Sequence, residues 1–296
     1  MKSTASSTNL SARVQDLHGE LAWPTLVLFA VGTGGFLTSV VGVWLAWWSA
    51  PWAVASSTLC LYLLFTPAHE AVHGNIRGRS VLPAWAETFV GYISAGAFLF
   101  PYPIFSYVHR THHKHTNHPE RDPDYWVASR NPVRVLLGCA SMLPEYYYFY
   151  FSRTKLLLSS PSERPRYFAT LACLVAIPVV FALWASVRGI VEPVLLWLVP
   201  ALLASTFLAY IFDYLPHRPH TERRRYLDTR VTLFPGADVL FASQNLHLIH
   251  HLYPSIPFYR YRSAFTRLRP ELEERGARID DFTLGSTLSP DAQQSA

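Results

Sequence analysis

From Leu21 to Ala68 the chain runs for 48 residues without an Asp, Glu, Lys or Arg. About 20 apolar residues cross a bilayer as a helix, so this run is long enough for two. The short "SAP" at Ser49–Pro51 supplies the turn between them. Two more uncharged stretches follow, Tyr167–Val187 with 21 residues and Pro193–Phe212 with 20, separated by "RGIVE" at Arg188–Glu192. The pattern predicts four transmembrane helices in two hairpins, over about 21–48, 51–68, 167–187 and 193–212, with both chain ends on one side.

A fifth uncharged stretch, Thr88–Ser106, is 19 residues long and passes the same test of length. Were it to span, nine basic residues between Arg110 and Arg166 would move to the far side of the membrane. With four helices, Arg188 is the one outer basic residue and 24 of the 25 lie inside, the asymmetry that orients membrane proteins. Gly91, Gly96, Pro101 and Pro103 also disfavour a straight helix there. Residues 88–106 are therefore expected to be re-entrant or interfacial. The aromatic run "EYYYFYF" (Glu145–Phe151) is expected as a helix at the headgroup level. The 74–166 loop and the polar chain after Leu215 should pack together over the helix ends. The predicted fold class is an all-α integral membrane protein with a cytosolic helical cap. The predicted organisation is a tail over 1–20, a membrane domain over 21–285 and a disordered tail over 286–296.

Composition narrows the chemistry. Half of the residues are hydrophobic and 15% are charged, which excludes an ordinary soluble domain. Cys60, Cys139 and Cys173 lie far apart and form neither a disulfide framework nor a CxxC metal motif. The Ser-rich first 20 residues and the long apolar run after them do not read as a cleavable signal peptide. The net charge of +5 follows from membrane orientation and does not call for nucleic acid. The chain shows no internal repeat, Gly-rich phosphate loop or GxSxG elbow.

The histidines carry the strongest signal. "HEAVH" places His69 and His73 four residues apart, on one helix face. "HRTHHKHTNH" contains His109, His112 and His113 in the spacing HxxHH, and "NLHLIHH" repeats it with His247, His250 and His251. With 13 histidines in 296 residues, far less than one such triplet is expected by chance, and two occur. His217 follows just after the fourth predicted span. Topology brings all nine to one membrane face. Nine imidazoles exceed the needs of one zinc ion and suit two ions with several nitrogens each, although imidazole alone does not choose among Fe, Cu, Zn and Ni. A histidine-lined metal transporter is the competing class, but transporters place ionisable groups near the bilayer midplane, and here the uncharged spans contain no histidine.

HxxxH, HxxHH and HxxHH in this order on a four-helix hydrophobic frame resemble the membrane fatty acid desaturase and hydroxylase superfamily. "FDYLPHRPHTERRRYLDTRV" (Phe212–Val231), "QNLHLIHHLYPSIPFYRY" (Gln244–Tyr261) and, less closely, "HTNHPERDPDYW" (His115–Trp126) are similar to the cyanobacterial type of β-carotene hydroxylase. His118 departs from that pattern, and His115 and His118 are expected outside the metal set. The resemblance implies two Fe ions held by His69, His73, His109, His112, His113, His217, His247, His250 and His251, with Asp213 reaching metal through water. It implies O2 as co-substrate, an apolar lipid substrate and an external electron donor, ferredoxin with its reductase. The implied reaction is mono-oxygenation of β-carotene at C3 of its β-ionone ring, towards zeaxanthin. A carotenoid ketolase and a fatty acyl lipid desaturase share the same chemistry. Glu70, Asp122, Asp124, Asp213 and Asp238 are candidates for orienting the imidazoles. Residues 88–106 are a candidate tunnel wall, and Arg218, Arg223, Arg224 and Arg225 a candidate donor contact. The implied location is a bacterial inner membrane, with the histidines and both termini cytoplasmic.

Overall fold

The structure, a computed structural model, describes residues 7–79 and 81–283. In chain order its principal elements are α1 (Ser7–Ala12), α2 (Trp23–Trp44), α3 (Ala50–His73), α4 (Ala84–Ala97), α5 (Tyr102–His115), α6 (Pro132–Ala140), α7 (Met142–Phe151), α8 (Thr154–Ser159) and α9 (Arg164–Arg188). The continuous helix α10 (Val191–Tyr214) follows, then β1 (Arg230–Leu233), α11 (His247–Leu252), α12 (Tyr261–Glu274) and β2 (Arg278–Asp281).

Four helices, α2, α3, α9 and α10, are long and apolar enough to cross a membrane. The protein is integral to the membrane, as the charge-free runs require. α2 packs along α3 and α3 along α10, whereas only 6% of the apolar window of α9 is buried, so that helix faces lipid. The second span outlasts its uncharged run by five residues, because His69–His73 stay helical and turn inward. It stops at Gly74, whose left-handed φ of 74° lets Asn75 N–H reach back to the Glu70 carbonyl at 3.1 Å. Such a helix end is made by glycine without the cost of a Cβ.

The uncharged 88–106 stretch does not cross straight. α4 and α5 meet at 97°, around a break that includes Pro101. The aromatic run forms the helix α7, with Tyr146, Phe149 and Tyr150 buried in the core and Tyr148 exposed.

The cap is largely helical, with one small parallel sheet that pairs Arg230 with Arg278 and Leu233 with Asp281. Val231 and Leu233 bury against Leu246, Ile249, Tyr261 and Phe265. Within the predicted tail, residues 7–20 belong to this cap. Leu10, Val14 and Leu17 are buried in it, and Arg13–Glu271, Asp16–Arg267 and Glu20–Arg260 pair around them. The expected tail over 286–296 lies outside the described residues.

Candidate metal centre

Three helix ends and one helix exit aim histidines into a common space. His69 and His73 occupy the last turns of α3, and His109, His112 and His113 those of α5. His247, His250 and His251 lie on α11. His217 follows α10, whose end widens to a π-helix over Ala209–Tyr214, closed by Leu215 N–H to the Tyr210 carbonyl at 3.0 Å. Such widened turns recur at functional sites because they rotate the following residues off the helical phase.

Side-chain nitrogens assemble into two groups of four. His69, His73, His109 and His250 form one, and His112, His217, His247 and His251 the other, each with its candidate atoms within 4.8 Å. His113 lies between them, grouping also with His250 and His251. Nε2 atoms face one another at 3.0 Å for His69–His250, 2.8 Å for His73–His109 and 3.1 Å for His113–His109. The second group shows 3.2 Å for His112–His251 and 3.1 Å for both His247–His217 and His251–His247. An ion about 2.1 Å from each nitrogen sets neighbours about 3.0 Å apart at right angles and about 3.4 Å apart at tetrahedral angles. The spacings are short enough for a shared ion in each group, and the all-imidazole donor set fits two ions of a first-row metal.

The protonation states also suit metal. Burial pushes the pKa of His217, His247, His250 and His251 well below the usual imidazole range, with neighbouring imidazoles adding to the effect. Neutral imidazole is the ligating form. His112 Nδ1 lies 2.9 Å from Asp122 Oδ1 and 3.1 Å from Asp124 Oδ2, both carboxylates buried. The carboxylates fix an N–H at Nδ1, which leaves Nε2, 3.2 Å from His251 Nε2, as the ring atom available to a cation.

The remaining candidates divide. Burial raises the Asp124 pKa, opposed by His112, while the Tyr146 hydroxyl donates to Asp124 Oδ1 at 2.6 Å. Glu70 is fully buried, 3.6 Å from His69 Nδ1, and accepts Phe258 N–H at 3.2 Å. Asp213 lines the cavity described below. Asp238 is a correction: it pairs with Arg262 and accepts from Asn245 Nδ2 at 3.0 Å, which braces the cap and reaches none of the nine imidazoles. His115 and His118 contact each other at 6.5 Å between centroids, outside both groups. His220 packs between Tyr125 and Tyr214.

An apolar cavity opens against both histidine groups. Phe65, Phe98, Phe100, Phe105, Leu208 and Phe212 make its apolar wall, and His69, His109, His112 and His247 its floor. Of the expected tunnel stretch, Ala95, Phe98, Phe100 and Phe105 line it.

Several polar residues were not legible in the sequence. The Tyr261 hydroxyl lies 2.9 Å from His250 Nδ1, Tyr146 reaches Asp124, and Gln244 lines the cavity while 1% exposed. Asn117 N–H donates to Asp122 Oδ2 at 2.7 Å. A tyrosine or an amide has no spacing rule of the kind that exposes HxxHH, so these roles appear only with the coordinates.

Residues 42–283 match the family model described as fatty acid desaturase. Among curated relatives, an omega-3 fatty acid desaturase, chloroplastic, from Glycine max is 25% identical, over 77% of this chain and 55% of its own length. An sn-1 oleoyl-lipid 12-desaturase from Anabaena variabilis is 26% identical, over 79% of this chain and 75% of its own length. An sn-2 acyl-lipid omega-3 desaturase (ferredoxin), chloroplastic, from Arabidopsis thaliana is 23% identical, over 83% of this chain and 59% of its own length. The chain thus spans little more than half the length of the two chloroplast relatives.

Proposed function

The chain belongs to the fatty acid desaturase family, and on that premise we propose that it is an oxygen-dependent oxidoreductase acting on a C–H bond of an apolar lipid. The observation that carries this reading is the shared wall: both histidine groups face one apolar cavity reached by residues of the spanning helices α3 and α10. The nine histidines are proposed to hold two iron ions. Bound iron would supply the reduction of O2 that the oxidation requires.

The chain's own residues do the rest. Asp122 and Asp124 orient His112 and keep its proton on Nδ1, and Tyr261 positions His250. Phe65, Phe105 and Phe212 exclude water and hold a hydrocarbon segment against the imidazole floor. Asp213 offers a carboxylate inside the cavity for a bound water. Removing two hydrogens consumes one O2, two electrons and two protons and yields two waters, whereas inserting one oxygen atom yields one water. Either way two electrons arrive from outside, because the chain carries no flavin, haem or nicotinamide motif. The donor is proposed to be a ferredoxin, a word the Arabidopsis relative's name carries for that protein, served by its own reductase.

The relatives favour a fatty acyl lipid as substrate and desaturation as outcome. A second reading, hydroxylation of the β-ionone ring at C3, draws on the similarity of Phe212–Val231 and Gln244–Tyr261 to β-carotene hydroxylases. The histidine face and both termini are proposed to face the cytoplasm of a bacterial inner membrane, since 24 of 25 basic residues fall on that side. One experiment separates the readings: express the chain in β-carotene-accumulating bacteria, with His112→Ala as control, and profile pigments and fatty acyl chains of the same cells. New double bonds in acyl chains support desaturation, and zeaxanthin or cryptoxanthin supports ring hydroxylation, each absent from the control. No lipid change from a chain purified without iron overturns both.

A further inference from the structure

The donor named above must meet the protein somewhere, and one surface loop is built to receive it. Glu222–Asp228 carries Arg223, Arg224 and Arg225 at its exposed tip, with exposed Arg218 beside it. Glu222 pairs with Arg224. Among the described residues, no carboxylate pairs with Arg218, Arg223 or Arg225, so the loop presents net positive charge to solvent.

The loop is tied to the segment that carries the second histidine group's carboxylates. Asn117 Nδ2 donates to the Glu222 carbonyl at 2.6 Å and to the Asp228 carbonyl at 2.7 Å, clamping both ends of the arginine tip with one amide. Asn117 does this from a left-handed φ of 61°, which asparagine tolerates better than most residues. Arg223 Nε donates to the Asn117 carbonyl at 3.3 Å, Asn117 N–H to Asp122 Oδ2 at 2.7 Å, and Asp122 Oδ1 meets His112 Nδ1 at 2.9 Å. Three hydrogen bonds and one residue's backbone therefore connect an exposed guanidinium to an imidazole of the second histidine group.

We infer that the Glu222–Asp228 loop is the docking face of an acidic redox protein, and that Asn117, Asp122 and His112 couple this face to the metal centre. The inference rests on the proposed function for its need of electrons. A pre-formed cationic patch steers an acidic partner and fixes its orientation, and clamping removes ordering cost from the encounter. Arginines that only snorkel to lipid headgroups need no such clamp. The loop's aromatic anchor, Tyr226, packs on the cap cluster and stacks with Arg275 at 4.6 Å.

The test uses the full chain in nanodiscs of zwitterionic lipid and oxidised plant-type [2Fe–2S] ferredoxin as acidic probe. Binding is measured by calorimetry at 50 and 300 mM salt, independently of turnover. The wild type is expected to bind in low salt and to weaken at least tenfold in high salt. Arg223→Glu/Arg225→Glu is expected to weaken low-salt binding at least tenfold, with metal content and melting temperature retained. Where turnover is established, that variant should raise KM for reduced ferredoxin. Equal binding by variant and wild type overturns the inference, as does no binding by the wild type in low salt. Loss of co-purified anionic lipid by the variant, with ferredoxin binding unchanged, assigns the loop to headgroups instead. Failure to oxidise any lipid refutes the proposed function and leaves the binding result to stand or fall alone.

Discussion

Replacing Asp122 by asparagine tests how the second histidine group is held. Asp122 is 6% exposed and accepts three hydrogen bonds, from His112 Nδ1 at 2.9 Å, Asn117 N–H at 2.7 Å and Asp124 N–H at 2.9 Å. An amide has one oxygen and one NH2 in place of two acceptor oxygens, so at least one buried N–H loses its partner. Each such loss costs about 1–3 kcal/mol, and removing the partner of a metal-ligating imidazole typically costs about 10–100-fold in metal affinity. Asp124 Oδ2, 3.1 Å from the same nitrogen, offers a fallback acceptor. Asp122→Asn is therefore expected near the tenfold end, and Asp122→Asn/Asp124→Asn near 100-fold, about 2.7 kcal/mol. The double loss should exceed the sum of the single ones, since each carboxylate covers for the other. The assay is iron per chain by elemental analysis after dialysis against graded chelator, with melting temperature recorded alongside. A double variant that keeps wild-type iron and chelator resistance would refute the reasoning, even if its stability fell.

Tyr261→Phe removes the hydroxyl 2.9 Å from His250 Nδ1 at a fully buried position and should lower iron affinity about tenfold, with secondary structure by circular dichroism unchanged. Ala209→Trp fills the cavity from α10 and should abolish turnover while iron per chain remains at the wild-type value. His220 gives a pH signature: burial, assisted by His112 and Arg230 and opposed by Asp122, lowers its pKa to about 4 from 6.5. Its neutral ring is fully compatible with folding above pH 6.5, and stability falls as pH drops from there through 4, by about 2 kcal/mol at pH 5. His220→Phe should therefore melt closer to its own neutral-pH temperature at pH 5 than the wild type does, and an unchanged acid slope would refute that assignment.

Much of the site was legible because its signals are local. Charge-free runs mark spans wherever the partners lie, and HxxxH or HxxHH states that imidazoles share a helix face before the fold is known. Those rules placed His69, His73, His109, His112, His113, His217, His247, His250 and His251 at one membrane face, where the structure brings their nitrogens together. Local rules failed for contacts between distant segments. Asp238 stands six residues before Gln244 and read as a partner for the nearby histidines, yet Arg262 claims it. The strand Arg278–Asp281 alternates too little in polarity to announce itself and pairs only because Arg230–Leu233 lies alongside.

By itself, then, the sequence determined a membrane protein with four long charge-free runs and three histidine clusters at helical spacing, since hydropathy and helical periodicity act over a few turns. Only the tertiary structure decided how those clusters divide into two groups. His69 and His250 stand 181 positions apart and meet at 3.0 Å, while the adjacent pair His112 and His113 is split between the second group and the space between the two. Neighbours on a helix turn about 100° apart and cannot serve the same small ion from one side, so the partition belongs to how α3, α5 and α11 converge. The same convergence leaves the apolar cavity beside the nitrogens, a volume that no single segment encodes.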